Sequence, residues 1–145
     1  MGKFREKFKG AASARPNPLE GQAEALQGKP PQDLFCLNFK YFDPGQGETF
    51  SQWEEAKLLA KTAERWREHS RKKLEHCLDT RFKRYGAFPA KSEFTHPKGV
   101  PPDAVWASMH VQGQECVIGH IHYNVFYVVF LDRHHKFWPT ELKHT

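Results

Sequence analysis

Cysteine is scarce: Cys36, Cys77 and Cys116 are odd in number and too widely spaced for a disulfide framework or a CxxC metal pair. Reduced thiols in a core are expected. Long apolar runs are missing too, since no stretch approaches the roughly 18 residues needed to cross a bilayer. The opening MGKFREKFKG lacks the apolar segment of a secretory leader, and Glu6 stands where N-myristoylation wants Ser or Thr. Together these absences predict a soluble, cytoplasmic protein with no membrane partner. There is no Walker sequence and no GxGxxG, and Gly45-Gln46-Gly47 is too short to cradle a phosphate, which argues against nucleotide hydrolysis. No internal repeat is visible.

What is present suits one small domain. The 145 residues are 39% hydrophobic and 14% aromatic, enough for a modest core, and 22 Lys+Arg against 17 Asp+Glu give a net charge of +5. That excess favours a polyanionic partner without requiring one.

Residues 1–33 are rich in Pro, Gly, Ala and Gln and have almost no large apolar side chain after Phe8. They read as a flexible basic arm. Phe4 and Phe8, one helical turn apart among Lys3, Arg5, Lys7 and Lys9, would suit docking on a partner or on RNA, and a solubilising tail is the plainer alternative. A single domain is expected over 34–145. Its first strand is 34-LFCLNFKYF-42, where Phe35, Leu37, Phe39 and Tyr41 alternate with a mixed set. Ser51-Gln52-Trp53-Glu54 reads as a capping box opening a helix. A stripe through Trp53, Ala56, Leu59, Ala60, Ala63, Trp66, Ser70, Leu74, Cys77 and Leu78 then carries the helix, with room for a break near His69-Ser70.

Residues 81–103 form a long loop with room for one short strand. Arg81, Lys83, Arg84, Lys91 and Lys98 are interleaved there with Phe82, Tyr85, Phe88, Phe94 and His96. Cations beside aromatic faces are what single-stranded RNA binding uses, and equally these aromatics serve as pegs on a core. Three strands follow, 105-VWASMHV-111, 115-ECVIGHIH-122 and 125-VFYVVFL-131, joined by links short enough to force an antiparallel meander. The fold class is therefore α+β, ordered β-α-β-β-β, with an antiparallel sheet packed on one long or broken helix.

Two chemistries fit this scaffold. Cys116, His120 and His122 share a strand face and offer a metal chelate, with His110 as a further ligand from the preceding strand; partly exposed polar residues on a sheet face explain them as well. The second needs neither metal nor cofactor. Cutting RNA through its own 2′-OH requires a proton acceptor, a proton donor and fixed cations on the phosphorane-like transition state. The last strand ends in Arg133, His134, His135 and Lys136, and His110 sits on an adjoining strand. These five are the candidate catalytic residues. Arg81, Lys83, Arg84, Tyr85, Lys91, His96 and Lys98 are the candidate RNA contacts.

The run 105-VWASMHVQGQECVIGHIHYNVFYVVFLDRHHKFW-138 resembles the C-terminal meander of the RelE/ParE superfamily of bacterial toxin–antitoxin systems: strand, tight turn, a strand containing Val-Ile, and an apolar strand running into a His- or Tyr-bearing end. The likeness covers about a quarter of the chain. It implies a small endonuclease acting on free or ribosome-bound mRNA and neutralised by a cognate antitoxin, with His135 at the position of the family's terminal histidine. Where the family often has an arginine before Val-Ile this chain has Cys116, so Arg133 or a loop cation would have to replace it. Some relatives act on gyrase and cut no RNA. The expectation is thus a toxin-like, metal-independent endoribonuclease; the alternative is a non-catalytic nucleic-acid- or protein-binding module, gyrase-directed or a phage accessory factor.

Overall fold

The computed structural model describes residues 34–139, and the expected arm falls outside them. Alternating apolar residues and two tight turns set the architecture. Strands β3 (Val105–Gln112), β4 (Glu115–His122) and β5 (Val125–Asp132) form the antiparallel meander. Gly113 (φ 56) and Tyr123 (φ 55) supply the left-handed backbone that the two turns need. Before the meander come β1 (Cys36–Asn38), the helices α1 (Phe50–Glu55), α2 (Leu59–His69) and α3 (Leu74–Cys77), and β2 (Phe82–Gly86). The sheet order is β1-β5-β4-β3-β2.

The α+β expectation is met, with two additions. The first strand lies parallel to β5, pairing Cys36 with Val125 and Asn38 with Tyr127, so the sheet is mixed. The start of the 81–103 loop is the antiparallel edge strand β2, pairing Phe82 with Met109 and Lys83 with Ser108.

The helical segment breaks twice. The cap at its start is Thr49, whose hydroxyl accepts from the Gln52 amide while Gln52 accepts from the Thr49 amide. That box lies two residues ahead of the Ser51–Glu54 box expected. After α1 the chain turns through Lys57 (φ 61), and the Leu58 amide donates to Trp53 O. This turn resets the helical phase. Leu58, Thr62, Trp66 and His69 become the buried series, while Ala60 and Ala63 of the expected stripe are exposed. The second break follows His69, as expected, and the Lys72 carbonyl accepts the Phe35 amide.

Each sheet face covers its own core. On the helix side Phe35, Trp53, Leu58, Trp66, Leu74 and Phe82 pack on Met109, Val117, Phe126 and Leu131. On the other side Phe94, Val100 and Phe137 pack on Trp106, Cys116, Ile118 and Phe130, with Phe88 partly buried against them. The long loop is thus pegged to the core by its aromatics. A bulge in β5 links the two layers: Ile118 pairs with Phe130 and Gly119 with Val128, leaving Val129 as the extra residue. Phe126 and Val128 therefore belong to the helix-side core while Phe130 belongs to the other. Asp132, two residues beyond Phe130, comes opposite Cys116.

Candidate functional site

Period-two alternation sorts the candidate residues by sheet face. Arg84, paired with Ala107, turns to the helix side and meets Glu75 of α3 at 2.6 Å. Arg133 also turns that way: its guanidinium meets Glu48 at 3.0 Å, and Glu48 additionally accepts from Trp53 Nε1 and from the Arg133 amide. This arginine therefore ties the end of β5 to the entry of α1 and is removed from the candidate site.

The opposite face carries Lys83, paired with Ser108, and His110. His110 lies opposite Cys116 across the β3–β4 hairpin. The His135 ring comes within 5.6 Å of the His110 ring, at an interplanar angle of 39°. The His110 amide donates to Arg81 O at 2.7 Å, and Arg81 and Lys83 both act electrostatically on the His110 imidazole. Burial, then the charges of His135, Arg81 and Lys83, hold His110 below the ordinary histidine range, offset in part by the nearby Arg81 carbonyl, which favours the protonated ring. Burial raises the Tyr85 hydroxyl above its ordinary range, and the neighbouring Ser108 partly lowers both Tyr85 and Cys116. Burial pushes the Cys116 thiol up to about 12, so it is a neutral donor, bonded to Gln114 O at 3.1 Å.

Asp132 builds the turn that delivers His135. Its two carboxylate oxygens accept the amides of Lys136 (2.9 Å) and Phe137 (2.8 Å), and His135, just ahead of them in the chain, adopts φ 59. The Glu93 amide donates to Lys136 O at 3.0 Å, joining the loop to the strand end. Phe137 is then fully buried, and Trp138 stacks on Tyr85 at 4.7 Å and 10°. The side chains of His134, Lys136, Lys91 and Lys98 are exposed. His96 joins the aromatic peg, 5.4 Å from Phe88 and 5.7 Å from Trp106, so it supports the loop.

The structure thus brings together His110, His135, Arg81, Lys83 and Tyr85. It adds Ser108 and Trp138, which the sequence does not join to them, and Cys116, for which the sequence offers His110 as a further metal ligand, belongs to the same cluster. Hairpin register was the available signal: a two-residue turn at Gly113-Gln114 with one bulge sets position 116 against 110. Cys116, His120 and His122 do not converge on one another. Among the described residues the cluster with metal-ligand spacing is His110, Cys116 and His135.

His120 belongs to a separate cavity of about 290 Å³, lined also by Tyr41, Asp103, His122 and Tyr127. It stacks on Tyr127 at 4.9 Å, and its buried Nε2 has no hydrogen-bond partner among the described residues. Burial, followed by the charges of His122 and His96, lowers His120 from 6.5 to about 4. Unfolded, this imidazole takes a proton near pH 6.5; folded, only near pH 4. Its stability contribution is therefore complete above the unfolded value and is lost as pH falls to the folded one, by about 3 kcal/mol. His69, wedged between Phe35 and Phe82 and also lowered by burial, acts in the same direction. Urea denaturation across this pH range should show the loss, and His120→Phe should flatten it.

Compared with protein-family models, curated proteins and solved structures, the chain shows no match.

Proposed function

We propose that this domain is a toxin-like endoribonuclease that binds single-stranded RNA on the His110–His135 face and cleaves it without a metal ion. The observation that carries the reading is the pair of imidazoles 5.6 Å apart beside Arg81 and Lys83. A phosphodiester placed between the rings has its 2′-OH near one imidazole and its leaving 5′-oxygen near the other. One ring accepts the hydroxyl proton, the second protonates the departing oxygen, and the cations stabilise the charge gathering on the phosphoryl oxygens. Arg81 and Lys83 then supply the cation that the family likeness would place before Val-Ile. Tyr85 stacked on Trp138, the latter 40% exposed, offers a flat surface for a neighbouring base. A cytoplasmic setting, ribosome-bound mRNA as substrate and a cognate antitoxin as partner follow from the same reading. Among the described residues no helix is long and apolar enough to cross a membrane.

The test is cleavage of a single-stranded RNA in excess EDTA. Products ending in 2′,3′-cyclic phosphate and 5′-OH support the reading, because attack by the 2′-OH leaves those ends; intact RNA, or cleavage leaving 5′-phosphate, overturns it. The stacked pair and exposed cations also fit a non-catalytic RNA-binding module. That second reading gains if RNA stays intact yet binds with an affinity that falls steeply with salt, and if Trp138→Ala weakens binding by about 1–3 kcal/mol.

A further inference from the structure

We infer that His110, Cys116 and His135 form a binding site for a zinc ion, and that zinc bound there switches the proposed ribonuclease off. One ligand atom from each residue lies within 4.8 Å of those of the other two. Tetrahedral zinc holds such atoms roughly 3.3–3.6 Å apart, given Zn–N near 2.0 Å and Zn–S near 2.3 Å. Closing by about an ångström therefore completes the chelate. The fold permits it: His110 and Cys116 are locked opposite each other in the hairpin, and His135 sits in the turn after β5, where its side chain is only partly buried.

Two further observations point to a ligand. Nδ1 of His110 and Nδ1 of His135 are both buried without a hydrogen-bond partner among the described residues. Buried imidazole nitrogens are ordinarily paired, and a metal satisfies such lone pairs. The donor set of one thiol and two imidazoles is of the borderline-soft kind that zinc takes in preference to magnesium or calcium. Zinc displaces the thiol proton, which passes to solvent as the Zn–S bond forms. Carboxylates of Asp132 and Glu115 act on the thiol alongside Arg81, so the neighbourhood of the sulfur is not purely cationic. Three protein ligands leave the fourth position to water.

Binding of the ion stands on this geometry alone; the inhibition rests on the cleavage reading, since a coordinated imidazole has no lone pair with which to accept a proton. Cobalt(II) and zinc(II) titrations of the full chain test the site. The expected result is one ion per chain, with cobalt showing tetrahedral d–d absorption and a thiolate charge-transfer band. Cys116→Ser should abolish that band and weaken zinc by more than the roughly 10–100-fold that loss of an outer-shell partner causes. His135→Asn, at a partly exposed position outside the strands, should also weaken it, while Cys36→Ser should leave it unchanged. Undiminished affinity in both site variants, or no stoichiometric binding by the parent, overturns the site, and cleavage in EDTA would then stand unaffected. Equimolar zinc should suppress cleavage and EDTA restore it. Stimulation by zinc overturns the inhibition, and zinc binding by a chain that cuts no RNA overturns the cleavage reading while leaving the site.

Discussion

Replacing His135 with asparagine, or His110 with alanine, should slow RNA cleavage by roughly 10²–10⁴-fold, the usual worth of a positioned proton-transfer group. Asparagine is chosen at 135 because that residue holds φ 59, a backbone state asparagine tolerates better than most side chains. The double variant should lose little more than either single one, since both rings serve the same bond-breaking event. Single-turnover rates with EDTA present, alongside RNA affinity, make the measurement, and affinity should change only a few-fold. His134→Ala and Lys136→Ala, with side chains in solvent, should stay within a few-fold of the parent. Cleavage undiminished in both His135→Asn and His110→Ala would end the assignment.

Gly119→Ala should prevent folding or destabilise the domain by roughly 4 kcal/mol or more, a size reserved for a few named mechanisms. A Cβ at position 119 would lie 2.0 Å from Tyr127 O and 2.9 Å from Phe126 Cε1. The first contact is backbone, held in the β4–β5 ladder, and has no rotamer by which to retreat. Relief would require undoing the bulge, which would send Phe130 to the wrong core. Gly99→Ala is the control: the nearest atom to its Cβ is Tyr41 Cδ1 at 3.9 Å, an ordinary contact, and its effect should stay within about 0.5 kcal/mol. Chemical denaturation of both variants decides the matter, and near-parental stability of Gly119→Ala would mean the bulge is dispensable.

The meander could be read from sequence because 125-VFYVVFL-131 and its neighbours combine β-branched and aromatic residues with links too short for any other pairing. The partner of β1 could not, because parallel pairing across 88 residues leaves no local trace and depends on Asn124, whose amide reaches Leu34 O. The helix break at Lys57 was hidden for a related reason: Ala56-Lys57-Leu58 contains neither glycine nor proline, yet Lys57 adopts a positive φ. In the site, the cationic end of β5 was visible as composition, but which cations face which way was not. Arg133 and Arg84 are claimed by Glu48 and Glu75, and those pairings exist only in three dimensions. Spacing offers His110 as a ligand beside Cys116, and the hairpin register does pair them, but nothing local shows that His135, rather than His120 and His122, completes the cluster.

The parallel seating of β1 against β5 also bears on how the chain acquires its shape. β3, β4 and β5 meet through turns of two residues, so their contacts span few residues and close rapidly. β1 must wait, since its three-residue ladder spans the whole helical segment and the meander, and the loop-closure entropy comes due before any of its hydrogen bonds form. Late docking of that short edge leaves one flank of β5 open during synthesis and refolding, the interval in which a second chain pairs there most readily.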